Sequence, residues 1–296
     1  MKFRYTVGFE IEDFNSDDVD NFDYLQEKLL GKSYGVWQDG SGPDETASLP
    51  YPLFSSEIPL PLLIAISAID FSDHYNFVDY EDCDYYNDDE DCEDDVRTAG
   101  LHHHIRIVDV DDVNIYEDLR YYLATHIPIL QFLFARYGYV VGHNIIKPDF
   151  TSKRRDWADK PPLSRPCYWC RDYHAVTPNP GERGEPSKPN TLEIRICESS
   201  PLACTTAIAV LVTGWENNII MNAYNLYYAP VPLGLVLRYL EEILQNMPNT
   251  WEKLVVEKVY NNISEGKKFM PYTIESVLDI PVFEEAYSKI KPFLDY

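Results

Sequence analysis

Val7-Gly8-Phe9-Glu10-Ile11-Glu12 decides how the rest of the chain is read. It ends a longer stretch, Lys2 to Glu12, in which Phe3, Tyr5, Val7, Phe9 and Ile11 alternate with Arg4, Thr6, Gly8, Glu10 and Glu12. A period of two predicts a half-buried β-strand. Glu10 and Glu12 then leave one face two residues apart, where like charges repel unless something neutralises them. A metal ion is the usual neutraliser. The plainer alternative is a solvated acidic face, which is normal in antiparallel sheets.

Two later stretches offer partners. Gly100-Leu101-His102-His103-His104-Ile105-Arg106-Ile107 predicts a second strand, with His102, His104 and Arg106 on one face and Leu101, His103, Ile105 and Ile107 on the other. Thr191-Leu192-Glu193-Ile194-Arg195-Ile196-Cys197 predicts a third, with Glu193 and Arg195 opposite Leu192, Ile194 and Ile196. Side by side in one antiparallel sheet, these strands gather carboxylates, imidazoles and a guanidinium on one face. Phe54 to Ile58 predicts a further short strand, whose Glu57 is another candidate carboxylate. Oxygen-rich ligands with one imidazole suit Mg²⁺ or Mn²⁺ better than zinc. Alternation sends His103 to the opposite face, which argues against a three-histidine zinc site. Two divalent ions on such a face can bridge nucleotide phosphates, and arginine's planar fork fits phosphate oxygens.

The order Gly-x-Glu-x-Glu, Gly-x-His-x-His, x-Glu-x-Arg resembles the glutamine synthetase and glutamate–cysteine ligase superfamily, and within it the microbial and viral amidoligases. The matching residues are Gly8 to Glu12, Trp37 with Asp39-Gly40-Ser41, Glu57, Gly100 to His104, and Glu193-Ile194-Arg195. They span roughly Thr6 to Cys197. The chain departs from the pattern at Ile58-Pro59 after Glu57, at the polar His103, and in lacking a clear arginine motif between the last two strands.

The resemblance implies a glutamine-synthetase-like α+β fold: a curved antiparallel sheet with helices packed on its outer face and the polar face open as a trough. It implies Mg²⁺ or Mn²⁺ at Glu12 and Glu57, and a second ion at Glu10, His102 and Glu193, where ATP phosphates also reach. Arg195 and one of Arg154 and Arg155 would hold the γ-phosphate and the acyl-phosphate intermediate. His104 would line the site beside substrate or phosphate, and Asp39 would help hold the incoming amine. The implied activity is ATP-dependent amide or isopeptide formation between small-molecule or peptide carboxylate and amine substrates. ATP is needed because a carboxylate is a poor acyl donor until its oxygen becomes a leaving group. A metal-dependent hydrolase on the same carboxylates, and a non-enzymatic interaction protein retaining the fold, are the alternatives.

Composition bounds the rest. At 296 residues the chain suits one catalytic domain, and its net charge of −24 argues against a general nucleic-acid partner. The sequence predicts no secretory signal and no membrane span, so a cytoplasmic setting is the default expectation. The oligomeric state stays open. The six cysteines are too few and scattered for a disulfide-built fold. Cys167-Tyr168-Trp169-Cys170 lacks the second pair that a zinc site needs. His126 and His143 read as structural.

Asp79 to Asp95 holds eleven acidic residues and no basic one, predicting a mobile acidic insert at about 79–96. Lys147 to Asn190, proline-rich and carrying nine of the 25 Lys and Arg residues, predicts a long basic loop. Helical spacing predicts helices from about Ser16 to Gly31, Leu60 to Ile69, Asn114 to Tyr137 with a kink at Pro128, Ala203 to Tyr228 as one long buried helix, Pro232 to Gln245, from Thr250 onward with Leu254 inward, and from Pro281.

Overall fold

The computed structural model describes residues 1–13, 16–38, 44–69, 101–134, 140–142, 145–147, 176–179, 191–194, 200–221, 231–267 and 273–294. The acidic stretch 79–96, most of 147–190, Cys167, Cys170 and His143 lie outside them.

The chain is α+β, as its sequence predicts. β1 (Tyr5–Asp13) is central to a seven-stranded antiparallel sheet. On one side it pairs β5 (Leu101–Ile107), which pairs β9 (Thr191–Ile194), which pairs β8 (Val176–Asn179). On the other side its last residues pair β3 (Asp44–Ala47), followed by β2 (Trp37–Gln38), while Thr6 and Val7 pair β4 (Tyr51–Pro52). A second, three-stranded sheet joins β6 (Val140–Gly142), β7 (Ile145–Lys147) and β10 (Val231–Pro232).

The alternation in β1 has its expected consequence. Tyr5, Val7, Phe9 and Ile11 are buried, and register sets them beside Ile107, Ile105, His103 and Leu101. Leu192 and Ile194 extend that face across β9. Helices cover it. α1 (Ser16–Leu30) buries Val19, Phe22 and Leu25, and Gly31 ends it at φ +74°, a left-handed turn that glycine adopts without strain. α2 (Leu60–Ala68) starts between two prolines and is apolar nearly all round. α3 (Val113–Phe134) runs through Pro128 and buries Leu119, Tyr122 and Leu123.

α4 (Pro201–Glu216) is the central helix, buried from Pro201 to Gly214. Ser200 caps it by accepting from the Ala203 N–H at 3.2 Å. Its buried threonines are satisfied locally, Thr206 donating to the Leu202 carbonyl at 2.8 Å and Thr213 to the Ala209 carbonyl at 2.7 Å. The helix stops twelve residues short of the predicted Tyr228. Asn217 and Asn218 turn the chain out, Asn218 in the left-handed region at φ +54°, which asparagine tolerates better than most residues. Glu216, at that end, accepts from the Phe3 N–H at 2.8 Å, from the Tyr5 hydroxyl at 2.6 Å, and from the Lys2 N–H, so the helix fastens the start of β1.

α5 (Leu233–Asn246) buries Val236, Tyr239, Leu240 and Ile243. α6 (Trp251–Ser264) buries Trp251, Val255, Val256 and Val259, but Leu254 is exposed, one position off the covered stripe. α7 (Pro281–Ile290) closes the described chain with Phe283 inward. The predicted strand over Phe54 to Ile58 does not form. The strand is Tyr51–Pro52, and Phe54 at φ +62° breaks extension there.

Phe54's N–H is held by the buried carboxylate of Glu252, at 2.8 Å. Burial pushes Glu252 up to about 7, outweighing hydrogen bonds that favour its charge. A carboxyl raised above its unfolded value stabilises fully below that value, near 4.5, and loses the contribution as pH rises through 7. We expect Glu252→Gln to remove a stability loss of about 3 kcal/mol between pH 5 and 8, read by urea unfolding at both pH values. An equal pH dependence in the variant contradicts this assignment.

Candidate metal centre

The uncovered face of the main sheet carries the alternate residues of the same strands. Register places Gly8 beside His104 and His104 beside Glu193, while Glu10 lies beside His102. Each side chain is there because its strand alternates and its immediate neighbours along that strand are claimed by the core. A one-residue slip in any strand would bury the carboxylates and expose the apolar set, so core burial fixes the polar cluster as firmly as it fixes the fold.

Within this cluster one ligand atom each from Glu10, His104 and Glu193 lies within 4.8 Å of the others. His104 Nε2 is 3.2 Å from Glu10 Oε1. His102 Nδ1 stands 3.6 Å from Glu193 Oε1 and 3.9 Å from Glu10 Oε2. Glu193 is only 6% exposed, a burial that an ionised carboxylate sustains only with positive charge or hydrogen bonds around it. On the far side of His104, Nδ1 meets the Thr191 hydroxyl at 3.4 Å, which leaves Nε2 turned toward Glu10. A ring held at one nitrogen while the other faces carboxylates is the arrangement of a metal-ligating histidine. Two carboxylates and one imidazole suit Mg²⁺ or Mn²⁺.

Gly8 leaves the floor between these side chains open. A cavity of about 540 Å³ lies over it, lined by Glu10 and His104 together with Thr6, Arg106, Thr191, Ser48, Tyr34 and Trp37. Ser48 secures this rim, its hydroxyl accepting from the Phe9 N–H at 2.9 Å and its own N–H donating to the Phe9 carbonyl at 2.8 Å. Trp37 is oriented by its indole N–H, which donates to Glu45 Oε2 at 2.9 Å.

His103 points the other way, fully buried against Phe9 with ring centroids 5.7 Å apart. Burial first, then the neighbouring His104 and His102, push it down to about 3, so it is neutral. Its ring nitrogens make no hydrogen bond of ordinary geometry among the described residues, and the Pro201 backbone nearby only weakly offsets the burial. Replacing such a group by a hydrocarbon removes a desolvation cost, so we expect His103→Leu to raise stability by about 1–2 kcal/mol while cation affinity is unchanged. Loss of cation binding in that variant would place His103 in the site.

Of the residues singled out from sequence, Glu10, His102, His104 and Glu193 come together. Glu12 lies in β1 opposite Glu45, and its side chain is outside the described residues. Glu57 is exposed in the bend between β4 and α2. Asp39, Arg154, Arg155 and Arg195 are outside the described residues. Thr191 and Arg106 enter the site although neither had a role assigned. Both share the period of two with Glu193 and His104, which is the signal that marks them. His126 is structural, its Nδ1 at 2.9 Å from the Tyr122 carbonyl and its Nε2 accepting from the Met221 N–H at 3.3 Å.

No family model matches the chain, and no curated protein matches it by sequence. Among solved structures, the complex between Prokaryotic Ubiquitin-like Protein Pup and its Ligase PafA aligns with 97% of this chain at 9% identity and a TM-score of 0.40. The chain spans 66% of that structure's matched chain. No described helix is long and apolar enough to cross a membrane.

Proposed function

We propose that the open face of the main sheet is a divalent-cation centre and that the chain is an ATP-dependent carboxylate–amine ligase. The observation that carries the reading is the convergence of Glu10, His104 and Glu193, from three neighbouring strands, to within 4.8 Å beside an open cavity. A bound Mg²⁺ or Mn²⁺ supplies charge neutralisation for phosphate oxygens. The chain's own residues do the rest. The sheet holds the donors rigidly, Thr191 steadies the His104 ring at Nδ1, and the cavity over Gly8 gives a carboxylate access to the same face. The motif order Gly8 to Glu12, Gly100 to His104 and Glu193 to Arg195 supports ATP as the second ligand. Substrates of this reading are a small-molecule or peptide carboxylate and an amine.

Titration calorimetry with ATP, with and without Mg²⁺, tests it. The expected result is binding that requires Mg²⁺ and is lost in a Glu10→Gln/Glu193→Gln double variant. No binding at millimolar ATP, in protein shown to be folded and with candidate carboxylates present, would overturn the ligase.

A further inference from the structure

The cavity over Gly8 reaches beyond the cation cluster. At its other end stand Thr6 and Arg106. Arg106 lies two residues from His104 on the same face of β5, a spacing of about 7 Å along a strand. It is half-buried and has no carboxylate partner among the described residues. Some basic residues here do have one, as Arg4 has Asp109, Lys258 has Asp279 and Lys289 has Glu285. In a chain of net charge −24, a half-buried guanidinium that lines a cavity without a carboxylate beside it among the described residues is placed to receive an anion. Its own charge excludes it from holding a cation, and its forked donors match an oxyanion.

We propose that Arg106 is a second anchor of this site: it pairs with an oxyanion group of the bound ligand, carried about 7 Å along β5 from the group held at the cation cluster. The proposal rests on the reading of Glu10, His104 and Glu193 as a cation centre. The ligand's body crosses Gly8, where no side chain obstructs it, and lies beside the Trp37 indole that Glu45 holds in place. The ligand chemistry is therefore bipolar in position, with one oxyanion at the metal and another at the arginine. Two sources fit it: a second carboxylate on the acyl substrate, or a phosphate group.

The probes are glutarate, butyrate and inorganic pyrophosphate, titrated into wild-type protein, Arg106→Gln and Arg106→Lys, with and without Mn²⁺. With Mn²⁺ present, wild-type is expected to bind glutarate at least tenfold tighter than butyrate. That preference should vanish in Arg106→Gln and return in part in Arg106→Lys, with Mn²⁺ affinity unchanged in both. If the oxyanion is a phosphate, pyrophosphate instead loses at least tenfold in Arg106→Gln, and the glutarate preference is small throughout. Both results support the proposal. Equal affinities in wild-type and Arg106→Gln, or no binding of any probe to wild-type, overturn it. A dianion preference that depends on Arg106 in protein that binds no Mn²⁺ keeps the anchor and removes the cation centre.

Discussion

Glu193→Gln is expected to weaken divalent-cation binding by about 100-fold or more while the fold stays intact. The side chain is nearly buried on β9, within the three-atom group formed with Glu10 and His104. Glutamine is isosteric and keeps the strand. It removes the negative charge that a hard cation needs, and it leaves only one carboxylate in the group. Loss of an outer-shell partner alone costs about 10–100-fold in metal affinity, so loss of a ligand belongs at or beyond that range. Titration with Mn²⁺ reads the effect directly. Undiminished affinity would move the cation elsewhere, with the eleven acidic residues of Asp79 to Asp95 the first place to look.

Gly214→Ala is expected to destabilise the protein by about 3 kcal/mol, through overpacking and lost hydrogen bonds together. A Cβ there would lie 2.1 Å from the Tyr122 hydroxyl and 2.7 Å from that of Tyr239. Neither hydroxyl has room to retreat. Tyr122 donates to the Ile219 carbonyl at 2.5 Å and meets Tyr239 Oη at 3.1 Å, and its ring stacks on His126 at 3.9 Å. Burial raises both phenols far above the usual tyrosine range, so the network is neutral at ordinary pH. This glycine lets α4 approach α3 and α5 closely enough to close the core beneath the sheet. Urea unfolding measures the cost. Tyr122→Phe, which removes the obstructing hydroxyl, should cost less in a Gly214→Ala background than in wild-type. Additive effects would contradict the clash as the cause.

The sheet and its functional face were legible because one physical rule determines both. In β1 and β9 the apolar residues alternate without interruption, and in β5 only His103 breaks the apolar set, so the period of two gives the strand, the buried face and the polar set at once. Neighbouring placement of these strands was an inference from chemistry, and register confirms it in setting Glu10 beside His102 and His104 beside Glu193. Short edge strands were not legible. β2 is two residues long, and β8 carries Pro178, which lacks an N–H and is tolerated in an edge strand because one side of that strand has no ladder to complete. Periodicity has nothing to act on in so few residues. The end of α4 was misplaced for a related reason. The sequence beyond Glu216 remains moderately apolar, and only the left-handed backbone at Asn218 reveals the break. Glu57 was tied to a predicted strand that Phe54 interrupts, so its alternation carried no weight.

A divalent cation held on the sheet face through Glu10, His104 and Glu193 would carry imidazole nitrogen among its ligands. Pulsed electron paramagnetic resonance of bound Mn²⁺ tests it most directly, because it detects nitrogen coordinated to the ion. The predicted result is one bound Mn²⁺ with a ¹⁴N coupling from a single imidazole, lost in His104→Gln and kept in His103→Leu. A Mn²⁺ signal with oxygen ligands alone, or no Mn²⁺ bound at millimolar concentration, would contradict it.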